Sequence, residues 1–232
     1  MSSIDLMPTS SEVVRYIAGR KIPEDRWANI FFTENINVVG EIFPKYADRE
    51  FDVEPRIVFP IHDRRGAVVG IVSRALRKTS KVRYQTFKEN DEVPLIYGLD
   101  RVDFGKPVVV VEGPIDSIFI DNCIAACGGD FTHVFPHLVV GRDLLAFDNT
   151  PRNMHVVRHM RAAARDGHRV VVWPDENDKK DVNDMILSGI TKDELTRMMW
   201  ENSATGMELN LKIAKWDKSN DNRGEGRRGF NF

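Results

Sequence analysis

KPVVVVEGPID, Lys106–Asp116, decides the fold. Its four valines form an apolar β-branched run too short for a helix. It reads as a strand covered on both faces, as in a parallel sheet. Gly113 lets the chain turn sharply, and Pro114 suits the first position of a helix. Glu112 is thereby placed at the carboxyl end of a central strand, where open α/β sheets bind ligands. Asp116 follows within one turn. Two carboxylates in this arrangement are candidates for a hard-cation site.

The pattern recurs twice. Asp143–Asn149 (DLLAFDN) is an apolar run ending in Asp148, and Pro151 then opens a helix. His168–Pro174 (HRVVVWP) ends at Asp175, with Asp178, Asp181 and Asp184 close behind. Any one of these acids is also an ordinary helix cap or turn residue. Three strand ends in succession, each delivering acids at a β-to-α junction, point instead to a shared site.

The order of these elements resembles the Toprim domain, which is shared by bacterial-type primases, topoisomerases and some nucleases. Glu112, Gly113 and Asp116 match its EG-x-x-D element. Upstream, Arg56–Leu76 (RIVFPIHDRRGAVVGIVSRAL) is similar to the basic subdomain of DnaG-type primases, whose nucleotide- or nucleic-acid-binding arginine falls on Arg74. Ile96–Leu99 (IYGL) resembles the element preceding the Toprim strand in those primases. FDNTPRN (Phe147–Asn153) and KDVNDMI (Lys180–Ile186) look most like primases of T-even-type tailed phages. The resemblance spans roughly residues 10–190, and its ordered motifs are specific.

The resemblance implies an α/β fold, with a Toprim-type parallel sheet flanked by helices and preceded by a smaller basic α+β subdomain. It implies synthesis of short RNA primers on a single-stranded DNA template from ribonucleoside triphosphates. Glu112, Asp116 and Asp148 would be catalytic. Glu112, Asp148, Asp175 and Asp181 would hold Mg²⁺ or Mn²⁺. Arg56, Arg64, Arg74, Lys81, Arg83 and Arg152 would bind nucleic acid or nucleotide. A replicative helicase would be a partner, and the host cytoplasm the site of action. The rival readings are a Toprim nuclease and a non-catalytic single-strand-binding or helicase-accessory relative.

Several residues depart from the family pattern. Its second motif is usually D-x-D, but here it reads Asp148-Asn149-Thr150. Only Cys123 and Cys127 are present, so no paired C-x-x-C can build the family's zinc domain. Such a domain is expected to be absent or supplied by a separate zinc-binding subunit. Arg83 and Glu92 stand where the family often has lysines.

Composition bounds the remainder. The chain has 232 residues, 42% of them hydrophobic, and a formal net charge of −2. The charge is unevenly spread. Residues 56–88 hold nine Lys/Arg against Asp63 alone, whereas residues 172–184 hold five acids against Lys179 and Lys180. Basic side chains suit phosphates, and acids suit divalent cations. No apolar run is long enough to span a membrane, and the first residues lack a secretory pattern. Two cysteines make no disulfide framework. His155 and His159 have zinc-binding spacing, but Val156 replaces the glutamate of an HExxH helix, so a helix face near phosphates, or simple packing, is the preferred reading. No G-x-x-x-x-G-K-[ST] loop is present.

The expected divisions are 1–100 (helical and basic), 101–190 (Toprim), 191–217 (helical) and 218–232 (disordered tail). Helices are expected up to Arg20 and from Pro23 to about Phe32. Strands follow near 56–61, 67–73 and 82–87. The Toprim unit is expected to run strand 107–112, helix 115–122, strand 123–127, strand 143–148, helix 151–166, strand 169–173 and helix 183–188. Thr191–Asn202 reads as a further helix with a capping box.

Overall fold

The computed structural model describes residues 1–219, so the expected tail falls largely outside the described residues. The chain divides into two compact units, Met1–Val102 and Asp103–Phe232.

The first unit is built on an antiparallel sheet of β1 (Ser2–Ser3), β2 (Phe31–Thr33), β3 (Arg56–His62), β4 (Val68–Ala75) and β5 (Tyr84–Lys88), in that spatial order. The β3–β4 turn uses Gly66 at φ +83°, and Asp63 Oδ1 accepts from the Arg65 and Ala67 amides. Helix α1 (Glu12–Gly19) is capped by Ser11 and buries Val13, Val14 and Ile17. Short α2 (Val39–Ile42) brings Val39 into a core with Ile36, Phe43, Val58, Ile71 and Phe87. Phe87 packs edge-on against Tyr46 and Phe51, at 5.2 and 5.1 Å between ring centroids.

The helix expected from Pro23 to Phe32 does not form. A 3₁₀ segment covers Glu24–Asn29, and the chain then extends into β2. Phe31, Phe32 and Thr33 favour a strand, and here they pair with Val58, Ile57 and Arg56. Tertiary pairing overrides the local helical spacing.

The second unit holds β6 (Val109–Val111), β7 (Cys123–Ala125), β8 (Leu144–Ala146), β9 (Arg169–Val171) and β10 (Ser203–Ala204), ordered β10-β9-β8-β6-β7. The first four are parallel, and β10 is antiparallel to β9. Every residue of β6, β7 and β8 is buried, as the uninterrupted apolar runs require.

The helix expected over 115–122 shrinks to α3 (Pro114–Ser117), and tighter i→i−3 bonds continue to Ile120. Ile115, Ile118, Phe119 and Ile120 are all buried. Branched side chains packed on both sides of so short a segment disfavour a regular helix. Helix α4 (Met154–Arg165) is capped by Asn153, and α5 (Val182–Leu187) by Asp181. Helix α6 (Lys192–Glu201) has the Thr191–Glu194 capping box. Helix α7 (Gly206–Trp216) packs on α4 through a buried face of Leu209, Ile213 and Trp216. The C-terminal helices therefore belong to the same unit as the parallel sheet. No described helix is long and apolar enough to cross a membrane.

Candidate active site

Glu112 lies one residue beyond β6 and Asp148 two beyond β8, on adjacent parallel strands. Their pairing register brings them side by side. Glu112 Oε1 accepts from the Asp148 amide at 3.1 Å. Burial, followed by repulsion from Asp148, pushes the Glu112 carboxyl up to about 7. Burial also raises Asp148, with Asp181 and Asp184 adding to the shift and Lys180 opposing it.

Gly113 has an extended backbone, φ −114°, so its role is not a left-handed turn. A Cβ there would lie 2.9 Å from Asp116 Oδ2. Glycine spares that carboxylate, which folds back over it, from being pushed aside. Asp116 Oδ1 in turn accepts from the Asn183 amide at 2.9 Å and ties α3 to the start of α5. Asp116 is thus a brace between two strand-end loops.

The third strand-end loop is held by Asn149. Its amide N–H donates to the Lys180 carbonyl at 2.7 Å. Its Nδ2 donates to the carbonyls of Asn177 at 2.7 Å and Lys179 at 3.1 Å. Its Oδ1 accepts from Trp216 Nε1 at 3.2 Å. Asn149 is therefore occupied as a structural clasp. Its neighbour Thr150 has a buried Oγ1 with no partner among the described residues. Lys180 Nζ reaches Asp148 Oδ2 at 3.0 Å, and Asp181 Oδ1 caps α5 by accepting from the Asp184 amide at 2.8 Å.

The four expected metal carboxylates do not gather. Asp175 is exposed and pairs with Lys218 at 3.2 Å. No three His, Cys, Asp or Glu among the described residues are grouped to hold a metal by themselves. Asp184, missing from the expected set, is one of the charges acting on Asp148. Its signal in the sequence was its place three residues after the Asp181 cap, on the same helix turn.

The basic residues separate sharply. Arg64, Lys81, Arg83 and Arg152 are exposed. Arg56 corrects the expectation of a phosphate contact, because it is 0% exposed. It bonds Ser73 Oγ at 3.1 Å, the carbonyls of Val82 and Arg83 at 2.9 and 3.2 Å, and the Glu54 carboxylate. Arg74 is also buried, but its Nε has no partner among the described residues. Its guanidinium lies 5.1 Å over the ring of Tyr84, which is 48% exposed. Of the two histidines on α4, His155 is exposed and His159 lies 3.9 Å from Asp130.

The raised Glu112 value makes a stability prediction. Between pH 4.5 and about 7 the folded chain holds more protons at Glu112 than the unfolded chain does. Metal-free stability is therefore expected to fall across this interval as pH rises, by up to about 3 kcal/mol relative to Glu112→Gln. Urea denaturation in EDTA at pH 5 and pH 8 measures it. An equal difference between the two proteins at both pH values would remove the shift.

No protein-family model matches the chain. It is 35% identical over 219 residues to the DNA primase of enterobacteria phage T4, covering 93% of this chain and 63% of the relative. The chain thus spans less than two thirds of that relative's length. The E. coli primase catalytic core superposes with a TM-score of 0.64 at 20% identity, over 88% of this chain and 77% of that one. The RNA polymerase domain of Mycobacterium tuberculosis primase DnaG, in complex with a double-stranded DNA oligomer bearing a 6-nucleotide overhang, gives 0.66 at 17% identity, over 90% and 78%. A DnaG primase catalytic domain bound to single-stranded DNA gives 0.64 at 19% identity, over 92% and 77%. At these identities the structures establish the fold. The chain is a sequence relative of the T4 DNA primase with the fold of the DnaG primase catalytic core.

Proposed function

We propose that the chain is a primase catalytic core that joins ribonucleotides into short RNA primers on single-stranded DNA by Mg²⁺-dependent nucleotidyl transfer. The observation that carries this reading is the Glu112–Asp148 pair. Two largely covered carboxylates are held together at adjacent strand ends, in a chain 35% identical to a DNA primase.

The donor set fits Mg²⁺. That ion takes one or two carboxylates and substrate phosphates, keeps several waters, and rarely sits in an all-protein cage. Two adjacent hard-oxygen carboxylates match that demand. Asp148 is the ligand, with Glu112 beside it and Asp181 and Asp184 adding negative field. Held by Asp148 with Glu112 beside it, a divalent cation would supply positive charge that neutralises the charge developing in phosphoryl transfer.

The chain's own residues do the rest. Glu112, with its carboxyl near neutrality, takes the proton of the attacking 3′-hydroxyl. The oxygen–phosphorus bond forms as the α–β phosphoanhydride breaks and pyrophosphate leaves. Asp116 and Asn149 hold the strand-end loops in place. Arg74, whose Nε has no partner among the described residues and whose guanidinium lies over Tyr84, is the best placed of the buried arginines to receive a phosphate. Arg64, Lys81, Arg83 and Arg152 add exposed positive charge for the template. A replicative helicase, a separate zinc-binding subunit and action in the bacterial host cytoplasm belong to the same proposal.

Incubation with single-stranded DNA, labelled ribonucleotides and Mg²⁺ tests it. Short labelled RNA is the expected product. Nicked DNA without synthesis would select the nuclease reading. DNA binding indifferent to EDTA, without product, would select the non-catalytic one.

A further inference from the structure

Lys180 does not fit the picture of an acidic cation site waiting for its metal. Its Nζ sits 3.0 Å from Asp148 Oδ2, on the very carboxylate assigned to the cation. The pair is lopsided, with the lysine side chain 60% exposed and the aspartate 16%. The lysine therefore reaches in from solvent, and most of its side chain stays exposed. Its backbone is nevertheless fixed. Asn149, adjacent to Asp148, bonds the carbonyls of residues 177, 179 and 180, and Trp216 locks Asn149. Asp181 anchors the next residue as the cap of α5. A long flexible cation has been set on a rigid base beside Asp148.

The opposite change in charge lies two residues from Asp148. At the second acid of the D-x-D pattern stands Thr150, whose buried hydroxyl is unpartnered among the described residues. The site thus has a neutral oxygen where a second metal-binding carboxylate would be, and a built-in cation close by.

Resting on the primase reading above, we infer that Lys180 is the chain's own second cation. It holds Asp148 in the free protein, yields that carboxylate when a single divalent ion binds, and then grips the β,γ-phosphates of the incoming nucleoside triphosphate. An ammonium suits this task because it is a compact charge with three donors on a flexible stem. No bond is made or broken at Lys180, and it stabilises the departing pyrophosphate by charge alone.

The test uses Mn²⁺ and a non-hydrolysable nucleoside triphosphate as probes, read by calorimetry on the full chain. Lys180→Met should bind Mn²⁺ alone about tenfold more tightly, because Asp148 has lost its competing partner. In the presence of Mn²⁺ it should bind the nucleotide about tenfold or more weakly. Lys180→Arg should keep both affinities within about threefold of wild type, since the charge is retained. Thermal melting confirms that each variant is folded. Unchanged nucleotide affinity in Lys180→Met, or weaker Mn²⁺ binding, overturns the role of Lys180 and leaves the primase reading standing. Wild-type Mn²⁺ binding that Asp148→Asn does not reduce overturns the primase site itself, and the Lys180 assignment with it.

Discussion

Glu112→Gln is expected to lower primer synthesis by about a thousandfold or more while leaving the fold intact. Glutamine has nearly the volume of glutamate and keeps a carbonyl oxygen to accept the Asp148 amide, so the geometry at the ends of β6 and β8 survives. What the proposed mechanism loses is the base that takes the hydroxyl proton, together with a carboxylate beside Asp148. Phosphoryl transfer depends mainly on positioning and charge neutralisation, so the loss falls on the rate. The variant should also be the more stable protein at pH 8 without metal, because it no longer buries a carboxylate pressed against Asp148. Falling activity with rising stability separates a catalytic defect from misfolding. A primer-synthesis assay paired with urea denaturation reads both. Activity within tenfold of wild type would remove Glu112 from the chemistry.

The second large effect is structural. Arg56→Met is expected to destabilise the chain by about 3–5 kcal/mol, because it strips a buried charge partner and leaves Glu54 uncompensated. It also removes one donor each from the Ser73 hydroxyl and from the carbonyls of Val82 and Arg83, which keep their bonds from Ser80 Oγ and the Ala75 amide. Arg74→Met, beside Ser73 on β4 but making none of the Arg56 bonds, should change stability by about 1 kcal/mol or less while weakening nucleotide and template binding. Its guanidinium contributes a ring contact with Tyr84 and a 2.5 Å bond to the Tyr84 hydroxyl, and its Nε is already unpaired. Denaturant midpoints for the two variants decide the matter. Equal loss of stability would show that both arginines are structural.

The parallel sheet was legible in the sequence because burial on both faces leaves a plain mark. The runs at 108–111, 144–147 and 170–173 are apolar without interruption; the first two lead directly into Glu112 and Asp148, and the third reaches Asp175 after Pro174. Glu112 and Asp148 could be placed side by side from that pattern alone. The second helix was misread because Trp27, Ile30 and Phe31 have helical spacing, and only pairing with β3 turns Phe31–Thr33 into a strand. Arg56 and Arg74 are one residue type in one basic segment. Facing strands give one of them Glu54, Ser73 and two carbonyls, and the other an exposed tyrosine. No local pattern separates them. The clasp at Asn149 was equally hidden, since its partners Asn177, Lys179 and Trp216 lie 28 to 67 positions away. Asp175 shows that the same pattern does not fix burial. It ends an apolar run as Glu112 does, yet it stays exposed and pairs with Lys218.

The most direct measurement is the rate of short-RNA formation on single-stranded DNA against Mg²⁺ concentration, for wild type and Asp148→Asn. Wild type is expected to make product that saturates with Mg²⁺ and disappears in EDTA. Asp148→Asn should stay at about a thousandth of that rate at every concentration. Equal rates in the two proteins, or synthesis that persists in EDTA, would contradict a cation-assisted site at the ends of β6 and β8.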